Sequence, residues 1–210
     1  MKFFNTWRRF ALILLIISVF SYSLGIQANA EGVVWQRTIG DFKVVISDVH
    51  KGYAGPKFKG MQPDHVNLYI YEKDRRGRHN IDYANYHITR YQTKNSSACL
   101  YIYESVSKKE LLDICSDSWK AAVKKAARKM KQHVDNEIEI RKAALLGMVV
   151  AFIATVSLLK SNAPILRSGT EETIDPTEIM NETGIDTNLY NDLGLDQLDP
   201  LRVDDPLIQE

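Results

Sequence analysis

Cysteine is nearly absent from these 210 residues, and the two that occur, Cys99 and Cys115, stand apart. Neither belongs to a CxxC pair and no histidine adjoins either one, which excludes the common zinc and thiol-redox motifs. Glycine-rich phosphate loops, dinucleotide fingerprints, nucleophile elbows and His-Glu-x-x-His pairs are missing too. The ready-made signatures of nucleotide hydrolases, dehydrogenases, serine hydrolases and zinc proteases are therefore absent. Nothing in the chain implies a cofactor or a metal. Net charge is also scarce, at a formal +1.

The small net charge conceals an asymmetry. Residues 31–142 hold 21 Lys/Arg against 14 Asp/Glu, whereas residues 161–210 hold 2 against 12. A basic body carries an acidic tail, and the two attract each other.

The start of the chain reads as a secretory signal over residues 1–30. Lys2, Arg8 and Arg9 form a positive leader, Phe10 to Phe20 an apolar run, and Ala28-Asn29-Ala30 a small-x-small cleavage pattern. The expected location is exported, membrane-associated or extracellular. In that compartment an even pair of cysteines predicts a Cys99–Cys115 disulfide. Asn95-Ser96-Ser97 and Asn181-Glu182-Thr183 match the N-glycosylation pattern, which matters only in a eukaryotic host.

Residues 31–116 read as a β-rich domain. Val33 to Ile39 and Phe42 to Val49 are β-branched runs around Gly40-Asp41, the composition of a hairpin. Lys51 to Asp64 is a Gly/Pro loop. In His65 to Lys73, Val66, Leu68 and Ile70 alternate with Asn67, Tyr69 and Tyr71. Tyr86, Ile88 and Arg90 alternate with His87, Thr89 and Tyr91, and Leu100 and Ile102 with Tyr101 and Tyr103. Period two over short runs predicts an antiparallel meander with one aliphatic face and one face of tyrosines. Such tyrosines either stack on sugars or peptides, or pack against a helix.

Residues 117–142 predict a cationic amphipathic helix. Trp119, Val123, Ala126, Ala127, Met130, Val134 and Ile138 recur along one face, with Lys120, Lys124, Lys125, Arg128, Lys129 and Lys131 opposite. These cations are expected either to bind an anionic surface, lipid or a protein or cell-envelope polymer partner rather than nucleic acid, or to form only a solvated face. Residues 143–160 follow as an uncharged helix, seventeen residues from Ala143 to Leu159. That is the lower edge of spanning length. The expectation is a membrane helix whose lipid-facing residues are Leu145, Leu146, Val149, Val150, Phe152, Ile153, Val156, Leu158 and Leu159. Arg141 and Lys142 before it oppose that orientation, and the other readings are insertion after secretion and burial in the domain. Residues 161–210 predict a disordered acidic tail. The fold expected is thus α+β: a small antiparallel meander, a long cationic helix, an apolar membrane helix and an unstructured end.

Among candidate catalytic groups only His65 and His87 suggest chemistry. His65-Val66-Asn67 and His87-Ile88-Thr89 lie on neighbouring expected strands. The pattern resembles the paired H-x-[Ser/Thr] motifs of two-histidine phosphoesterases, over six residues. The resemblance implies two imidazoles flanking a phosphate, one as acid and one as base. Asn67 departs from that pattern, and the separation between the motifs is much shorter than the family's. A metal site from His65, His87 and Asp64 or Asp82 is geometrically open but marked by no spacing. The functional expectation is a non-enzymatic binding module attached to a membrane. A pore-forming or bacteriocin-like effector and a hydrolase using His65 and His87 are the alternatives.

Overall fold

A computed structural model describes residues 32–93, 96–135, 139–161, 174–198 and 201–203. The expected signal segment, residues 1–30, lies outside the described residues. Six strands run in sequence order as an antiparallel meander: β1 (Val33–Ile39), β2 (Phe42–Ser47), β4 (Asp64–Lys73), β5 (His79–Thr93), β6 (Ser96–Glu104) and β7 (Lys109–Ser116). A seventh, β3 (His50–Lys51), continues the β2 edge by pairing with the start of β4.

The register explains the two faces. Val44 lies opposite Ile70, Leu68 opposite Tyr86, and Ile88 opposite both Val66 and Ile102. Their side chains share one face; the aliphatic ones are buried with Phe42, Ile46 and Leu100, and Tyr86 is half-buried against them. The aliphatic face takes the helices because burying alkyl groups is favourable. Tyr69, Tyr71, Tyr91, Tyr101 and Tyr103 alternate to the other face, so the packing of that tyrosine face against the long helix does not occur.

Helix α1 (Trp119–Asp135) lies over β6 and β7. Ser118 caps it: the Ala121 amide donates to Ser118 Oγ at 3.2 Å. Trp119 is buried beneath the Arg90 guanidinium, 4.6 Å from the ring centre. Helix α2 (Glu139–Leu158) crosses the other half of the sheet, and its last turn runs into the short strand β8 (Leu159–Ser161).

Here the structure overturns the expected architecture. Among the described residues, no helix is long and apolar enough to cross a membrane. The molecule is mainly one seven-stranded sheet with helices on one side, and the apolar helix is its core. Val149, Val150, Phe152, Ile153 and Val156 are at most 1 % exposed. Leu145 and Leu159 are buried, and Leu146 and Leu158 are half-buried against the same cluster. None of the nine faces lipid, so the membrane anchor and the pore lose their basis.

The tail supplies the reason. Residues 174–198 fold rather than remaining disordered. Asp175 caps α3 (Pro176–Thr183): the Thr177 amide donates to Asp175 Oδ1 at 2.8 Å, Pro176 fills the first turn, and Gly184 closes it at φ 69°. A one-turn helix α4 (Asn188–Asp192) follows, and β9 (Leu201–Val203) pairs in parallel with β8. Ile174, Ile179, Met180, Ile185, Tyr190 and Leu195 are buried against the helix layer. Edge strand β1 adds polar ties, as Trp35 Nε1 and Arg37 Nη1 donate to the Leu193 carbonyl at 3.2 and 3.3 Å. The sheet, α1 and the tail together enclose α2, so apolar residues all round it need no lipid.

Candidate functional site

The face turned away from the helices is polar and aromatic, and the loop of residues 52–63 divides it. Over β5, β6 and β7 the loop covers the sheet. Phe58, in a 3-10 turn (Pro56–Phe58), inserts edge-on between Tyr91 and Tyr101, with ring centres 5.8 and 5.4 Å apart. Gly55 passes so close that a Cβ would lie 2.8 Å from the side chains of Tyr101 and Tyr103, and its φ of 110° favours glycine in any case.

Lys57 ties this loop to the far edge of the sheet. Its ammonium donates to Asp113 Oδ2 and to Tyr91 Oη, both at 2.8 Å, and Tyr91 donates to Asp113 Oδ1 at 2.6 Å. Burial opposes the charge on Lys57, but the hydrogen bonds to Asp113 and Tyr91 prevail and hold its pKa above the ordinary lysine value. Burial, followed by the bond to Asp113, raises Tyr91 above an ordinary phenol. Burial pushes Tyr101 up to about 12. The expected Cys99–Cys115 disulfide is present beneath this knot, directly across the β6–β7 ladder. Tyr91 Oη lies 3.7 Å from Cys115 Sγ.

The histidines meet where the covered half gives way to the open half. His65 and His87 share the polar face with ring centres 5.2 Å apart, and His50 lies 4.3 Å from His65. His50 is a member that sequence reasoning missed. Only the pairing of β3 with β4, which sets His50 opposite His65, brings it in. A carbonyl can only accept, so His50 Nδ1 donates to the Asp48 carbonyl at 3.0 Å, and His65 Nδ1 to that of Pro63 at 3.0 Å. Asn67 Nδ2 reaches His50 Nε2 at 3.3 Å and donates to Tyr69 Oη at 2.7 Å. Tyr53 and Tyr103 complete the layer, each with its ring centre 6.2 Å from that of His87. Burial, then a hydrogen bond with Tyr53, raises Tyr103 above an ordinary phenol.

The layer thus brings the two predicted histidines together, but shuts one away. His65 is 1 % exposed and His87 9 %, and Tyr53 lies edge-on to His87. Acid–base work on a phosphate needs both rings within hydrogen-bond reach of substrate, and His65 is closed to it. Among the described residues, no three His, Cys, Asp or Glu side chains stand where they could hold a metal ion. His79, at the far end of β5, pairs with Lys73 away from the cluster.

Beyond the histidines the sheet lies open. Tyr69 and Tyr71 stand side by side on β4, rings 13° from parallel and centres 6.0 Å apart, both half-buried. Their cross-strand neighbours on this face are Val45 and Lys43 on β2 and Asn85 and Asp82 on β5. Gln36 and Thr38 of β1, paired with Val45 and Lys43, extend the face with two exposed polar side chains. The result is a pair of near-parallel aromatic rings bordered by amides, a hydroxyl, an ammonium and a carboxylate.

On the opposite side of the molecule, α1 carries the six predicted cations. The acidic tail engages Lys120 through Glu178 and Lys124 through Glu182, the latter at 2.6 Å. Lys124 first, with Lys120 and Arg128 behind it, holds the Glu182 carboxyl below its usual range. Lys131 is half-buried, while Lys125, Arg128 and Lys129 are exposed.

Neither a family model, nor a curated protein, nor a solved structure matches the chain.

Proposed function

We propose that the chain is a non-enzymatic binding domain of an oxidising, extracytoplasmic compartment, and that it recognises a polysaccharide of the cell envelope on the open half of its polar face. The observation that carries this reading is the Tyr69–Tyr71 pair: two near-parallel rings, half-exposed, with hydrogen-bonding side chains on both flanks. A sugar presents an apolar face and an equatorial rim of hydroxyls, and this strip offers a partner for each. The opposite face of the sheet is fully used by the core. The Cys99–Cys115 bridge supports an oxidising compartment, because such bonds persist outside the reducing cytosol. The closeness of His65 and His87 favours a hydrolase, but the burial of His65 favours binding, and binding is the reading adopted.

Co-sedimentation with insoluble chitin, cellulose and peptidoglycan tests it. The protein is expected in the pellet with at least one of these, and Y69A/Y71A in the supernatant while circular dichroism shows it still folded. Failure to bind all three, or equal retention of the double variant, would overturn the assignment.

A further inference from the structure

Residues 52–55 rest on the histidines. A Cβ on Gly52 would lie 3.4 Å from His65 Cε1 and 4.0 Å from His50 Cδ2. Tyr53 stands edge-on to His87 and to Tyr103, and Ala54 is 1 % exposed. The second half of the loop is fastened separately, by Phe58 between its tyrosines and by Lys57 on Asp113.

His65 spends its Nδ1 proton on the Pro63 carbonyl, so a second proton must enter at Nε2. That ring is buried, with the His50 and His87 rings 4.3 and 5.2 Å away. His50 Nε2 faces the Asn67 amide nitrogen, a donor, at 3.3 Å, so it too is bare. Burial disfavours a charged imidazole, and neighbouring like charges repel. We infer that the buried histidines latch residues 52–55 to the sheet and that mild acid releases them, because a charged His65 requires water at its ring. The released form binds a proton that the closed form excludes. Closure is therefore at full strength above about pH 6.5 and weakens about tenfold for each pH unit below it.

The other groups around the rings do not supply this response. Phenols do not ionise in the acid range, which leaves Tyr53, Tyr69 and Tyr103 as hydrogen-bonding groups only. Lys51 and Asp64, opposite each other beside His50 and His65 in the ladder, supply one charge of each sign. The Asp48 carboxylate lies against Gly32, and Glu104 accepts from the amides of Asn85, Val106 and Ser107.

Nuclear magnetic resonance of the whole chain between about pH 8 and 5 is the test. It follows the His65 ring protons, the Overhauser contact between Gly52 and His65, and broadening of the Ala54 methyl by a dissolved gadolinium chelate. The contact should fade and the broadening grow in step with the His65 titration. Carboxylates stay ionised down to about pH 5, so the Lys57–Asp113 clasp and the β6–β7 amide signals should persist. H65Q can still donate to the Pro63 carbonyl but cannot charge, and should lose the pH response. If H65Q does not fold, the wild-type titration decides alone. A His65 that takes its proton while Ala54 stays shielded, an H65Q response equal to the wild type, or loss of the whole sheet together with the loop would each overturn the inference. No sugar enters the measurement, so it stands or falls apart from the polysaccharide reading.

Discussion

Truncating Ile179 and Met180 to alanine measures what holds the acidic tail against the helices. Both side chains are fully buried in the core cluster. Removing a buried Ile or Met side chain costs about 2–5 kcal/mol, the transfer term plus the cavity left behind. For a domain of this size each kcal/mol lowers the melting temperature by roughly 2–4 °C, so I179A alone, at about 3 kcal/mol, should lower it by roughly 6–12 °C. The two residues are adjacent, so their effects couple and the double variant should fall short of the sum. E178Q/E182Q removes the ion pairs to Lys120 and Lys124. Those pairs are largely solvated and screened by salt, so this variant should melt close to the wild type. Thermal unfolding followed by circular dichroism, with amide exchange over α3, makes the comparison. If I179A/M180A melts within a degree of the wild type, or if the charge variant is the more damaging one, the tail is an electrostatic cover rather than part of the core, and the enclosure argument for α2 fails.

Three further outcomes follow from the same physics. Lys57 and Tyr91 both have folded-state pKa values above their unfolded ones, so their contribution is complete below about pH 10 and declines as pH rises; K57M should flatten the alkaline loss of stability seen by urea titration between about pH 10 and 12. Reducing the Cys99–Cys115 bridge, or replacing both cysteines by alanine, should cost about 3 kcal/mol for a separation of 16 residues, read as a lower urea midpoint under reductant. Gly147 presses α2 against β1, where a Cβ would lie 3.0 Å from Ile39 Cδ1; G147L should overpack that contact and cost about 1–3 kcal/mol in detergent-free buffer, whereas a lipid-facing helix would gain from the leucine.

Much of the sheet was legible because its strands keep one face in the core and the other out of it. The alternation of Val66, Leu68 and Ile70 with Asn67, Tyr69 and Tyr71 is the direct imprint of that geometry. What alternation does not reveal is which neighbour covers which face. Phe58 lies in a loop whose Gly and Pro mark it only as irregular, yet it seals Tyr91 and Tyr101. His50 is equally hidden, since its partnership with His65 depends on a two-residue strand, too short to leave a pattern. The tail did carry signals. Asp175-Pro176 is a cap followed by a first-turn proline, and Gly184 stands eight residues after Pro176 as a stop. Helices of eight and five residues are unstable alone. Composition, dominated by Asp and Glu, therefore reads as disorder unless the receiving surface is known.

That dependence explains why α2 misleads in isolation. Hydropathy records that a helix avoids water, not what replaces the water. A single-layer helix on a sheet keeps one side wet and should be amphipathic. α2 is not, because α1 flanks it and Ile179, Met180 and Leu195 close its outer side. The two segments that look most foreign to a globular domain, an uncharged helix and a scattering of Leu and Ile among acids, are complementary halves of one interface. The charges sit beside this interface rather than in it: Glu178 and Glu182 meet Lys120 and Lys124 of the flanking α1, and the apolar residues lie within. Each segment rationalises the other, so the proper unit for reading either is the pair.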